Sequence, residues 1–290
     1  MYRISGLAAF LCFNLLTSPA WCLDCANAKQ PVDRLICNNP SLRKADTEMS
    51  KAYFDLLRSV KDPEIHQALV SSQQRWVGLR YIEGSRLQPD ERKQEINLLR
   101  DDTAQRTRNL AMKGGVPESS ALVANAVAQQ RYVSRFSGGP YSGYWTECDF
   151  IPSGEDSHDY ECFGVKAIQN AARVCSDYTY WASGRYYDFS KVANVSNGKL
   201  VTVAGCGGED AQCPDDAAAG LDKGKTGWDF HVDEHDDRYN PDLSHSPVFR
   251  IDPDFKDEDD ISGIAPDWMT QCLADPDFPP RSLESPATAQ

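Results

Sequence analysis

The sequence predicts an α+β protein: a small, disulfide-linked helical bundle followed by a disulfide-rich β domain with long acidic loops. Three observations carry that prediction. Apolar residues recur at three- and four-residue steps as far as Leu110, whereas short β-type runs follow Ser176. Charge divides between the same two regions: residues 23–113 hold 16 Lys and Arg against 13 Asp and Glu, and residues 114–290 hold 13 against 30. Ten cysteines in 290 residues suit an oxidising compartment and not a reducing cytoplasm.

Composition excludes several classes. At 41% hydrophobic and 25% charged residues the chain is in the ordinary globular range, which rules out wholesale disorder. A net charge of −13 argues against nucleic acid, because phosphate binding needs clustered Lys and Arg. The one long apolar run lies at the N-terminus, so a multi-spanning membrane protein is excluded as well.

Taken in order, residues 1–22 read as a secretory signal peptide. Arg3 precedes the apolar stretch Leu7–Leu16, which is too short for a spanning helix of about 20 residues, and the small and helix-breaking residues Thr17–Ala20 follow. Cleavage fits after Ala20 or after Cys22. The later cut leaves an even eight cysteines: Cys25, Cys37, Cys148, Cys162, Cys175, Cys206, Cys213 and Cys272. The expected location is periplasmic or secreted, with no membrane span in the mature protein.

Helices are expected next. After the start signal Asn39-Pro40-Ser41, Leu42, Ala45, Met49, Ala52, Tyr53, Leu56 and Val60 share one helical face. Pro63 opens a second segment with Ile65, Leu69, Trp76 and Arg80 within reach of one face. Pro89-Asp90-Glu91 opens a third, with Ile96, Leu99, Thr103 and Leu110, closed by Gly114. This helical domain spans 23–113. The stretch 114–137 is either a linker or an extra helix. The β domain spans 138–280, with strands at Ser176–Trp181, Gly184–Phe189 and Lys199–Ala204, the last after the turn Asn197-Gly198. Beyond Gly207 regular structure is hard to place, and 281–290 reads as a disordered tail.

One set of residues carries a family resemblance. Leu23-Asp-Cys25, Asp33 and Ile36-Cys37 are followed by Pro40-Ser-Leu42, Asp46, Ala52-Tyr53 and Gln73-x-x-Trp76-x-x-x-Arg80. In this combination residues 23–113 resemble the N-terminal domain of the lysozyme inhibitor LprI family, a helical module of exported bacterial proteins. The resemblance implies a Cys25–Cys37 bridge, which closes a loop of about 13 residues and is worth ~3 kcal/mol in the chain-entropy picture. Gln73, Trp76 and Arg80 lie one helical turn apart and share a face. They serve either as a core Trp with a Gln hydrogen bond and an Arg paired inward to Asp46 or Asp33, or as a direct contact to a target. The family's further cysteines, one shortly after the Arg and one in the next segment, are both missing from Ile82–Arg100.

The acidic half offers less. Its six cysteines permit 15 pairings. Cys206 and Cys213 suit a local loop bridge, which leaves Cys148, Cys162 and Cys175 to pair among themselves and with Cys272. Zinc needs close Cys-x-x-Cys or His partners, and these cysteines have none. The run Asp252–Asp260 is dense in carboxylates, yet lacks the Gly and Glu that a Ca²⁺-binding EF-hand loop requires. His231-Val-Asp-Glu234-His235 matches the inverted zinc-protease string, but its acidic surroundings read as a surface loop and not as a buried helix. The sequence therefore assigns no catalytic residue, no metal and no cofactor.

The resemblance implies a binding protein whose partner is lysozyme or another basic muramidase, inhibited by occlusion of its sugar-binding cleft. The acidic half would speed the encounter by electrostatic steering. The alternative from another class is an envelope assembly or docking protein with no effect on muramidases. A hydrolase using residues 118–290 is the third reading.

Overall fold

A computed structural model describes residues 23–85, 92–111, 121–152, 158–182, 185–208, 227–231, 251, 265 and 267–280. The signal segment, the C-terminal tail, Cys213, Glu234, His235 and the Asp252–Asp260 run lie outside the described residues.

The N-terminal region is helical: α1 (Pro31–Asn38), α2 (Pro40–Ser59), α3 (Pro63–Ser85) and α4 (Arg92–Ala111). Local chemistry sets their starts. Each of the first three begins on a proline, whose fixed φ suits a first helical position. Asn39 caps α2 by accepting from the amides of Ser41 (3.0 Å) and Leu42 (3.2 Å). Asp62 caps α3 in the same way, accepting from Glu64 (2.9 Å) and Ile65 (3.0 Å), and these bonds hold its carboxyl below the ordinary range. The periodic residues Leu42, Ala45, Met49 and Tyr53 of α2 turn inward. Two short pieces escape a periodicity argument. A single 3₁₀ turn at 25–27 and the two-turn α1 are tied together by the Cys25–Cys37 disulfide, with Val32 and Ile36 as the buried stripe of α1.

A fifth helix, α5 (Ala121–Val133), occupies the stretch between the helices and the sheet. The sheet follows as β1 (Gly143–Pro152), β2 (His158–Asn170), β3 (Arg173–Ala182), β4 (Arg185–Ser196) and β5 (Lys199–Gly208). The strands are antiparallel and neighbours in chain order, a plain meander. Asn197 (φ 52°) and Gly198 (φ 73°) make the β4–β5 turn, the left-handed pair that matches the right-handed twist of a hairpin. Strands β1 and β2 were not among those expected. Their Gly143, Pro152, Gly164 and acidic residues dilute the alternation, and β2 buries Lys166 completely.

Register divides the sheet into two faces. On one, Tyr144, Ile168, Cys175, Val192, Ala204 and Cys206 pack with Trp228, Phe278 and the helix α6 (Asp267–Ala274). On the other, Trp145, Val165, Ala167, Tyr178 and Phe189 form a separate cluster. The Cys175–Cys272 disulfide pins α6 to β3 across the first face. Cys148 and Cys162 stand directly opposite each other in the β1–β2 register. Cys206 is also disulfide-bonded.

The helical core is not built from its own four helices alone. Leu122 and Ala126 of α5, together with Ile251, join Met49, Tyr53, Ile65, Leu69 and Leu110 in one cluster. The far end of α5 belongs elsewhere: Tyr132 is buried among α6 and the sheet. Helix α3 also contacts β1.

Candidate functional site

The motif residues of the helical region converge on a buried polar seam. Asp46 projects from α2 and Arg80 from α3, and Arg80 Nη1 donates to Asp46 Oδ1 at 2.5 Å with both side chains 7% exposed. The guanidinium lies 5.0 Å from the centroid of the half-buried Trp76 ring and 5.9 Å from that of Tyr81. Stacking on two rings supplies cation–π attraction to a charge already taken out of water. Asp33 of α1 completes the group. Burial pushes its carboxyl upward, Arg80 pulls it back, and Asp46 pushes it up again. The Tyr81 hydroxyl bonds to Asp33, and burial together with the charge of Asp33 raises the phenol.

Two turns before Arg80 on α3, Gln73 extends the seam. Its Nε2 donates to Met49 Sδ at 3.1 Å, while its Oε1 accepts from Arg106 Nε at 3.2 Å. Arg106 Nη2 donates to Ser72 Oγ at 2.7 Å. Tyr53 is buried beside this group; burial raises its pKa and the charge of Arg106 draws it back. Asp46, Tyr53, Gln73, Trp76 and Arg80 are therefore neighbours, with the charged ends turned inward. The geometry is that of a brace holding α1, α2, α3 and α4 together. Removing one partner of such a buried pair strands the other charge, at a cost of about 3–5 kcal/mol.

Sequence reasoning missed Arg106 and Tyr81. Arg106 had a readable signal: Leu99, Thr103, Arg106 and Leu110 fall on one helical face, so a charged residue occupied a core position.

Residues 22–110 match the lysozyme inhibitor LprI family model. The LprI-like segment thus contains α1 to α4 and the whole polar seam, and stops short of α5 and the sheet. No curated protein matches the chain. No solved structure matches it either.

Among the described residues the other sequence motifs gather no comparable site. His231 is exposed, with its Nδ1 3.8 Å from the Asp229 carboxylate. Among the described residues no group of three or more His, Cys, Asp or Glu is placed to hold a metal ion. Among them, too, no helix is long and apolar enough to cross a membrane. In the sheet half the buried polar groups are structural in position. Lys166 stands opposite Tyr144 and Asp177 in register, and Asp177 Oδ1 accepts from Ser190 Oγ at 3.2 Å. Lys191 lies on the opposite face, its amine 5.5 Å from the Tyr178 ring centroid, and burial lowers its pKa to about 8.

Proposed function

We propose that this is an exported bacterial protein that inhibits a lysozyme-type muramidase by binding it and occluding the sugar-binding cleft, with no chemistry of its own. The observation that carries this reading is the LprI family match over residues 22–110. The inward-turned motif agrees with it. Asp46, Gln73 and Arg80 have their polar ends engaged with one another's helices, so they serve the shape of the module, and contact with a partner falls to its exposed surface. Two disulfides within the described residues, Cys25–Cys37 and Cys175–Cys272, fit a protein that works in an oxidising compartment. The chain's net charge of −13 favours encounter with a basic enzyme.

The test is peptidoglycan hydrolysis by a panel of muramidases, titrated with the oxidised mature chain at ~0.15 M salt, where charges beyond about 8 Å are screened. Stoichiometric inhibition of any one enzyme supports the reading. A folded, fully oxidised sample that inhibits none of them overturns it in favour of an envelope docking protein.

A further inference from the structure

We propose that α5 is a strut through which the disulfide-braced sheet half holds the LprI-like helices in their folded state. The Cys175–Cys272 bond, outside the matched segment, then governs how readily that segment opens. This goes beyond the inhibitor reading and does not depend on it.

The argument follows α5 from end to end. At its N-terminal end Leu122 and Ala126 are almost wholly buried with Met49, Leu69 and Leu110, and Val123 and Val127 pack on the same cluster. In its last turn, Gln130 Nε2 donates to Asp62 Oδ2 at 3.2 Å and to Glu64 Oε2 at 3.0 Å, the two acids at the start of α3. At the C-terminal end Tyr132 enters the other core, with Val133 and Phe136 packed against it. Its hydroxyl meets Thr270 Oγ1 of α6 at 3.1 Å. Helix α6 is in turn fixed to β3 by Cys175–Cys272, whose two residues have no exposed surface.

A 13-residue helix is marginal by itself and takes its stability from what its two ends bury. Releasing α6 takes the Thr270 hydroxyl and the α6 side chains away from Tyr132 and so loosens that end. The helical core then loses Leu122 and Ala126, two members it cannot replace from residues 22–110. Opening of the sheet half therefore propagates into α2 and α3, because one rigid element belongs to both cores.

The experiment is hydrogen exchange by mass spectrometry on the full oxidised chain and on the Cys175→Ala/Cys272→Ala variant, with the Cys25–Cys37 bond verified intact in both. The proposal expects exchange to quicken about tenfold or more not only in peptides covering 267–280 but also in those covering 121–133, 45–56 and 63–72. Faster exchange confined to the sheet and α6, with α2 and α3 unchanged, overturns it. Where the double variant fails to fold, Thr270→Val decides the matter, since it removes only the partner of the Tyr132 hydroxyl. Quickened exchange that reaches 121–127 and 63–72 supports the strut, and quickened exchange that stops at Tyr132 and α6 refutes it.

Discussion

In the helical half the buried Arg80 guanidinium has the Asp46 carboxylate 2.5 Å away and two aromatic rings beside it. In the sheet half the Lys191 amine lies against the Tyr178 ring on an apolar face, and its pKa falls to about 8. The first region keeps its charge by pairing it across two helices. At Lys191 burial brings the amine's pKa down to about 8. The staples differ as well. Cys25–Cys37 spans 12 positions and ties a 3₁₀ turn to the two-turn α1, whereas Cys175–Cys272 spans 97 and fastens α6 over a sheet face. The helices are joined by a polar seam between residues 33 or 34 positions apart, whereas the sheet, a meander of chain neighbours, takes its long-range tie from the disulfide to α6.

Five measurements test that contrast. The largest effect is expected from Cys175→Ala/Cys272→Ala: the loop it frees predicts a loss of up to ~4.7 kcal/mol in denaturant unfolding, against ~3 for Cys25→Ala/Cys37→Ala. Equal losses would show that loop length does not distinguish the two staples. Next, Arg80→Met strands Asp46 and should cost about 3–5 kcal/mol, while Asp46→Leu/Arg80→Met should recover most of it. A double variant no better than the single one would mean that the seam acts through more than this pair.

Lys191 makes the opposite kind of prediction. Folded, its amine titrates near 8, and unfolded near its ordinary 10.5. Below pH 8 both states hold the proton, but between 8 and 10.5 only the unfolded chain keeps it. The unfolded state then binds more protons, so stability rises with pH across that window, by roughly 3 kcal/mol at most. Tyr178, raised to about 12, works the other way above pH 10, because there the unfolded phenol ionises first. The window to read is therefore pH 8–10, where the wild-type gain should flatten in Lys191→Met. An unaltered slope would remove Lys191 as its source.

Two local substitutions should have the smallest effects. Asn39→Ala deletes the α2 cap and should lower the unfolding free energy by ~1 kcal/mol. Gly198→Ala, at φ 73°, should cost about 1 kcal/mol in the β4–β5 hairpin. Losses well above that at either site would show that the cap or the turn supports more than its own element.

Legibility followed the range of the interactions. The start of α2 at Asn39-Pro40, the start of α3 at Pro63 and the turn at Asn197-Gly198 were readable because each signal and its consequence lie within four residues. The inward pairing of Arg80 was readable as one of two alternatives, since helical spacing placed Gln73, Trp76 and Arg80 on one face without saying what that face met. Strands β1 and β2 were not readable. Buried Lys166 breaks the apolar pattern of β2, and the residues opposite it, Tyr144 and Asp177, come from neighbouring strands. The eight-residue α6 was missed because it is too short to show a period. Its place depends on a disulfide to a residue almost a hundred positions earlier.

Prolines, caps and apolar periodicity by themselves determined a helical beginning with β structure after it, and the motif set from Leu23 to Arg80 its likeness to the LprI family. Only the tertiary structure decided that Arg80 pairs with Asp46, that Cys175 bonds Cys272, and that α5 serves two cores at once. The physical reason is that caps and turns are satisfied by atoms a few residues away. Burial of a charge, closure of a long loop and completion of a core depend instead on partners that folding alone brings into contact.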